Sequence, residues 1–74
     1  MTKTAFLEAF GGELKARYPW ANDSARLETF LASVKATLDG ANTWNKDGEA
    51  SLAAWRKIGG KGPMTYKALR ALAD

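Results

Sequence analysis

Apolar side chains recur with the period of an α-helix between residues 24 and 39, and no other stretch constrains the fold so clearly. Their positions follow the i, i+3, i+4, i+7 and i+11 pattern of an amphipathic helix. Asn22, Asp23 and Ser24 are all good N-cap residues, and Gly40 is a typical residue just beyond a helix end. This helix is therefore expected to form the centre of the core. Its apolar stripe is Leu27, Phe30, Leu31, Val34 and Leu38.

A second helix is predicted from about Lys3 to Arg17, because phenylalanine and leucine residues recur every four positions. The adjacent Gly11 and Gly12 interrupt it, and each costs about 1 kcal/mol relative to Ala in a helix interior. Such a pair permits a kink or a close crossing by another helix. Pro19 ends the segment, since the residue before a proline disfavours the α region. The recurring residues are Phe6, Phe10 and Leu14.

Two shorter helices are predicted in the last third of the chain. The first spans about Glu49 to Ile58, and the glycine-rich stretch 59–63 ends it. The second has Thr65 as its N-cap and runs to Leu72 or Ala73. No segment alternates polar and apolar residues as a half-buried strand does.

The fold class predicted is a small all-α bundle of three to four helices, one domain over residues 1–74, with a helix-turn-helix-like hairpin at its C-terminal end. A chain this short buries only about 60% of its unfolded surface, so its core must be well used. Trp20 is expected to connect the first two helices. The predicted partners of the central stripe are Phe6, Phe10, Leu14, Leu52, Trp55 and Leu69.

Two missing residue types exclude several functions. The chain has no Cys and no His, so it has no disulfide, no thiolate zinc site and no histidine base. We therefore expect no enzyme activity, no metal and no cofactor. It also has no apolar run near the roughly 18 residues of a membrane span, and its N-terminus lacks the apolar core of a signal peptide. A cytoplasmic location without membrane association is the expectation.

Charge is distributed unevenly along the chain. Residues 51–73 contain five basic residues and no acidic one, whereas residues 1–50 contain six basic and seven acidic residues. The formal net charge of +3 thus comes from the C-terminal segment. A one-sided basic segment is typical of a surface that binds a phosphate backbone or an acidic protein. The five basic residues are Arg56, Lys57, Lys61, Lys67 and Arg70.

The order helix, glycine-rich turn and helix with a threonine cap is the outline of a helix-turn-helix, here Ser51–Ile58 and Thr65–Leu72. In that motif Thr65 and Tyr66 would lie near the major groove and the five basic residues would contact phosphates. The turn from 59 to 64 is longer than the usual three or four residues. We predict a small accessory or regulatory protein that binds nucleic acid, with duplex DNA favoured; the plainer interpretation is a helical hairpin with a solvated basic face.

A protein partner is the alternative that the charge pattern leaves open. An inhibitor or adaptor module would use the same basic segment to approach an acidic surface of a host protein, with Trp44 or Tyr66 as the anchor. Five phosphate contacts make a monomer bind DNA weakly, so a homodimer is a further expectation.

Two loops resemble known ligand sites without matching them. The stretch 59–62 lacks the Ser or Thr of a nucleotide-binding loop and no strand precedes it, which leaves an anion-binding nest or a flexible turn. The stretch 43–48 has oxygen ligands at alternate positions like a calcium loop, but Ala54 stands where the bidentate Glu belongs. Neither pattern predicts a metal site, and Asp47 is better interpreted as a helix cap.

The stretches FGGELKARYPWA (10–21) and AWRKIGGKGPMTYKALRAL (54–72) resemble small uncharacterised proteins carried by bacteriophages and prophages. The resemblance extends over most of the chain and includes no functional motif. It implies small size, action in the cytoplasm and a regulatory or host-interaction role.

Overall fold

The protein is all-helical, as the sequence predicts. A computed structural model describes residues 1–41 and 51–73, and these contain four α-helices, a 3₁₀ turn and no strand. No helix within the described residues is long and apolar enough to cross a membrane. The elements are α1 (Lys3–Arg17), the 3₁₀ turn (Pro19–Asn22), α2 (Ser24–Leu38), α3 (Leu52–Lys57) and α4 (Tyr66–Leu72).

Side-chain oxygens cap the N-termini of three helices. Asp23 Oδ1 accepts hydrogen bonds from the Ala25 and Arg26 amides at the start of α2. Thr65 Oγ1 accepts from the Ala68 amide at the start of α4, as the sequence predicts. Thr2 caps α1 in the same way. Each cap satisfies amide groups that have no partner within the helix.

Helices α2 and α3 end in the same way. Gly40 and Gly59 follow them with positive φ angles of 103° and 106°, a region that only glycine adopts without strain. In both cases the next residue's amide reaches back to a carbonyl five residues earlier, which is the Schellman arrangement. The amide-to-carbonyl pairs are Gly40–Thr37, Ala41–Ala36, Gly59–Arg56 and Gly60–Trp55.

Six aromatic side chains form a continuous series through the core. Each ring centroid lies 5.4–6.4 Å from the next, mostly with tilted or edge-on geometry. The series starts on α3, crosses α1 and α2, and ends at the 3₁₀ turn, where Trp20 contacts Phe30 as the sequence predicts. In order, the residues are Trp55, Phe6, Phe10, Phe30, Trp20 and Tyr18.

The Tyr18 hydroxyl closes this series into a ring. It accepts a hydrogen bond from the Ala53 amide at 3.2 Å, in the first turn of α3. Ser51, the N-cap residue of α3, makes no side-chain capping bond. Tyr18 therefore supplies from another part of the chain a cap that the Ser51 side chain does not provide.

The sequence prediction is wrong at one point of the core. Leu31, predicted at the centre, is half-buried and lies at the edge, whereas Leu52 packs against the buried cluster as predicted. Leu31 packs over Gly11, which has no side chain to cover it. Helix α3 spans Leu52–Lys57, within the predicted range of about Glu49 to Ile58. Glu49, Ala50 and Asp47, the predicted cap of this helix, lie outside the described residues.

The glycine-rich turn after α3 packs on Trp55. The indole Nε1 donates to the Gly62 carbonyl at 3.3 Å, and Met64 beyond the turn is buried. Gly60 lies so close to the indole that a Cβ there would overlap the ring. Close approach to an aromatic side chain thus explains the glycine at this position.

We expect Gly60→Ala to destabilise the protein by about 1–3 kcal/mol, because the added methyl forces the Trp55 ring to move in a packed core. Gly12→Ala is the matched control. A Cβ at position 12 would have nothing within 4 Å, so alanine there should stabilise α1 by up to about 1 kcal/mol. Urea unfolding followed by circular dichroism measures both. Equal effects of the two substitutions would contradict the proposed contact.

Candidate nucleic-acid interface

The basic surface, defined as Arg56, Lys57, Lys61, Lys67 and Arg70, is exposed at every position. Residues 51–73 contain no carboxylate side chain. In the described part of the chain none of the five forms an ion pair, since the three ion pairs there belong to α1, α2 and the residue after α2. The described C-terminal segment therefore presents uncompensated positive charge to solvent.

Three of these cations have a local structural explanation. Arg56 and Lys57 lie in the last turn of α3, and Arg70 lies in the last turn of α4. Cations there interact favourably with the partial negative charge of a helix C-terminus. Helices α1 and α2 have basic residues in their last turns as well, so this arrangement is general in the protein.

Lys61 and Lys67 have no such explanation. Lys61 lies in the turn between α3 and α4, outside any helix. Lys67 is the second residue of α4, where a positive charge opposes the helix dipole at a cost of about 0.3–1 kcal/mol. Arg26 occupies a comparable position in α2, but its guanidinium lies over the Trp20 ring, 5.0 Å from the centroid. No comparable contact is found for Lys67 within the described residues.

Helix α4 forms a ridge between two shallow depressions. Lys61 lines one of them and Arg70 lines the other, while Ala71 borders both. Lys67 lies one turn before Arg70 and Ala71, on the same side of the helix. The fold thus places Lys67 and Arg70 on α4 and Lys61 in a depression beside it.

Lys3 belongs to the same region, and sequence reasoning missed it. Its side chain lines the depression that also contains Arg70. The start of the chain lies beside the end of α4, where the Met1 nitrogen donates to the Leu72 carbonyl at 3.2 Å. No local sequence signal indicates this proximity, because it joins residues about 70 positions apart.

Arg56 and Lys57 are less closely connected with the ridge. Helix α3 packs mainly on α1, whereas α4 packs mainly on α2. No hydrogen bond or ion pair within the described residues joins the side chain of Arg56 or Lys57 to α4. The two helices of the predicted hairpin approach each other where Gly59 lies near Leu72.

The predicted groove-reading residues have structural roles in α4. Thr65 is exposed, but its hydroxyl caps the helix. Tyr66 is half-buried, and its carbonyl accepts a hydrogen bond from Arg70 Nε at 3.3 Å. Trp44 and the calcium-loop-like stretch 43–48 lie outside the described residues.

Asp39 forms an ion pair with Lys3, which lines the depression that contains Arg70. Its carboxyl oxygens accept hydrogen bonds from Lys3 Nζ at 2.8 Å and Lys35 Nζ at 3.4 Å. The hydrogen bond from Lys3, followed by the positive charge of Lys3, lowers the pKa of Asp39 below its ordinary value of 3.8. Asp39 therefore stays ionised at neutral pH and offsets part of the charge of Lys3.

Comparison with protein-family models, curated proteins and solved structures finds no match for this chain. Within residues 1–41 and 51–73 no group of three carboxylates is placed to hold a metal ion.

The Asp39 ion pairs should stabilise the fold only while the carboxylate is charged. Because its folded pKa is lowered, the stabilisation is fully present above pH 3.8 and is lost as the pH falls through the lower folded pKa. Asp39→Asn should thus lower the urea midpoint of unfolding at pH 7 and leave it unchanged at a pH below the folded pKa of Asp39. Glu28→Gln, at an exposed carboxylate without an ion pair in the described chain, should leave the midpoint unchanged. An equal loss at both pH values for Asp39→Asn would contradict this account.

Proposed function

We propose that this protein binds nucleic acid, with duplex DNA as the first ligand to test, through phosphate contacts made by the basic surface. The observation that carries the proposal is the placement of Lys61 and Lys67. Both are exposed, neither lies at a helix C-terminus, and Lys67 lies where a cation disfavours its own helix. A residue that costs local stability is best explained by a partner that it contacts. A small accessory or regulatory protein is the corresponding role.

At the basic surface, the exposed side chains favour nucleic acid over a protein partner. Protein interfaces depend on a few large apolar or aromatic anchors at their centre. Among the described residues Met1 is the one large apolar side chain that is exposed, at 48%. Phosphate binding needs no such anchor, because cations alone release counterions from the nucleic acid. An acidic host protein, which the resemblance to phage proteins also suggests, is the alternative outcome of the tests below.

Binding of the sugar-phosphate backbone fits the described side chains better than reading of bases. The Thr65 hydroxyl caps α4, and Tyr66 is half-buried. Helix α4 has seven residues and is therefore about 10 Å long, which leaves few positions to reach base edges in a groove. We therefore infer binding with little sequence preference.

Lys61→Glu and Lys67→Glu together should reduce binding to a labelled duplex of about 20 base pairs at least tenfold while the protein stays folded. Charge reversal turns attraction into repulsion without changing a buried residue. Lys67→Glu alone should leave the melting temperature unchanged or raise it, because an anion in the first turn suits the helix dipole. Fluorescence anisotropy at low salt measures binding, and circular dichroism measures melting.

Arg26→Glu is the matched control for Lys67→Glu. It makes the same charge change in the first turn of a helix. Leu38 borders the depression that contains Arg70, and Arg26 lies about 18 Å from Leu38 along α2. At physiological salt, a charge at position 26 is therefore largely screened from a ligand bound at the basic surface. The control should therefore retain duplex binding. Equal losses of duplex affinity for Arg26→Glu and Lys67→Glu would show that only the net charge of the protein matters. That result would contradict the assignment of binding to the basic surface.

Duplex affinity should fall steeply with salt. If all five basic residues contact phosphates, log K decreases with log salt at a slope of about −4.5; contacts from Lys61, Lys67 and Arg70 alone give about −2.7. Anisotropy titrations between low and physiological salt measure the slope. No binding of duplex or single-stranded DNA at low salt would refute the proposal.

A pull-down from host lysate that retains one stoichiometric protein after nuclease treatment would support the protein-partner alternative.

A further inference from the structure

A shallow groove lies between α1 and α2, away from the basic surface. Its apolar lining comes from Leu7 on α1 and from Leu27 and Leu31 on α2. Leu7 and Leu31 are half-buried, so each keeps part of its side chain in contact with water. The groove is thus a place where a second apolar or helical surface gains burial.

The α1 side of the groove lets another backbone approach closely. Gly11 and Gly12 both line it. Gly12 is exposed, and a Cβ added at this position would have nothing within 4 Å, which leaves free space above the helix there. Helices with small residues at a crossing point pack at shorter axial distances.

The charges beside the groove are symmetric about the glycine pair. Glu8 precedes Gly11 by three residues, and Lys15 follows Gly12 by three residues. Both line the groove, and neither forms an ion pair within the described residues. They are about 10 Å apart along the helix axis, too far to pair with each other.

This arrangement is complementary to itself. When two α1 helices cross antiparallel on a two-fold axis at the glycine pair, Glu8 faces Lys15 of the partner subunit, and the partner's Glu8 faces Lys15. A two-fold interface requires the same patch on both copies, and opposite charges placed symmetrically about its centre meet that requirement. We propose that the α1–α2 groove is the contact surface between two copies of this chain, with the α1 helices antiparallel and the exposed Gly12 at the crossing point.

The dimer should be weak, because the patch is small and its ion pairs are exposed. This proposal does not depend on nucleic-acid binding, and its test contains no nucleic acid. Where both proposals hold, the dimer carries two basic surfaces and doubles the number of phosphate contacts.

The test is sedimentation equilibrium of the full chain up to about 1 mM, a concentration at which even a weak dimer is populated. Glu8→Lys and Lys15→Glu should each weaken dimerisation at least tenfold, because like charges then face each other. The double variant, Glu8→Lys with Lys15→Glu, should restore dimerisation to within threefold, since each pair is re-formed with reversed polarity. Failure of the double variant to recover, with a helical circular dichroism spectrum retained, would overturn the antiparallel arrangement.

Gly12→Leu tests the crossing point without changing charge. The monomer has room for the side chain at position 12, and leucine favours a helix over glycine, so the variant should fold at least as well as the natural chain. Its dimerisation should be weakened at least tenfold, because the side chain holds the two helices apart. A dimer that is insensitive to Gly12→Leu, or a natural chain that remains monomeric at about 1 mM, would overturn the proposal.

Discussion

The ring of aromatic contacts through the core holds the other elements of the described structure in place. It runs from Trp55 on α3 across α1 and α2 to the 3₁₀ turn, and the Tyr18 hydroxyl returns it to the first turn of α3. A chain without disulfides needs large units of burial to fix helices of six and seven residues. Trp55 also holds the turn that leads to α4 through Gly60 and Gly62, so the position of the basic surface depends on this ring.

The structure separates the cations of the protein into two groups by their position relative to helix ends. Those in the last turns of the helices compensate helix dipoles, and this explains Arg56, Lys57 and Arg70 without a ligand. Lys61 and Lys67 lie outside that arrangement and are the strongest candidates for contact with an anionic partner. Counting charges along the sequence treats all five alike, whereas their positions relative to helix ends distinguish them.

Helix α1 has two distinct faces. Phe6, Phe10 and Leu14 form the buried face and join α1 to α2 and α3. The groove side contains the glycine pair between two opposite charges. Leu31 packs over Gly11, whereas Gly12 costs helix stability and has no neighbour that requires a glycine in the described monomer, and the proposed crossing by a second copy would give it a physical reason.

Features that depend on neighbouring residues could be predicted from the chain: the helical class, the bounds of α1, the cap at Thr65, and Gly40 at the end of α2. The sequence left Asn22, Asp23 and Ser24 open as caps of α2, and the structure has Asp23. Periodicity and capping are local, so the order of residues is enough to specify them. All five predicted cations are exposed, and their assignment to a binding site stays a prediction. Tertiary packing was needed to place Leu31 at the edge of the core, to make Tyr18 the cap of α3 and to bring Lys3 beside Arg70. These contacts join residues far apart in the chain, and no local pattern encodes them.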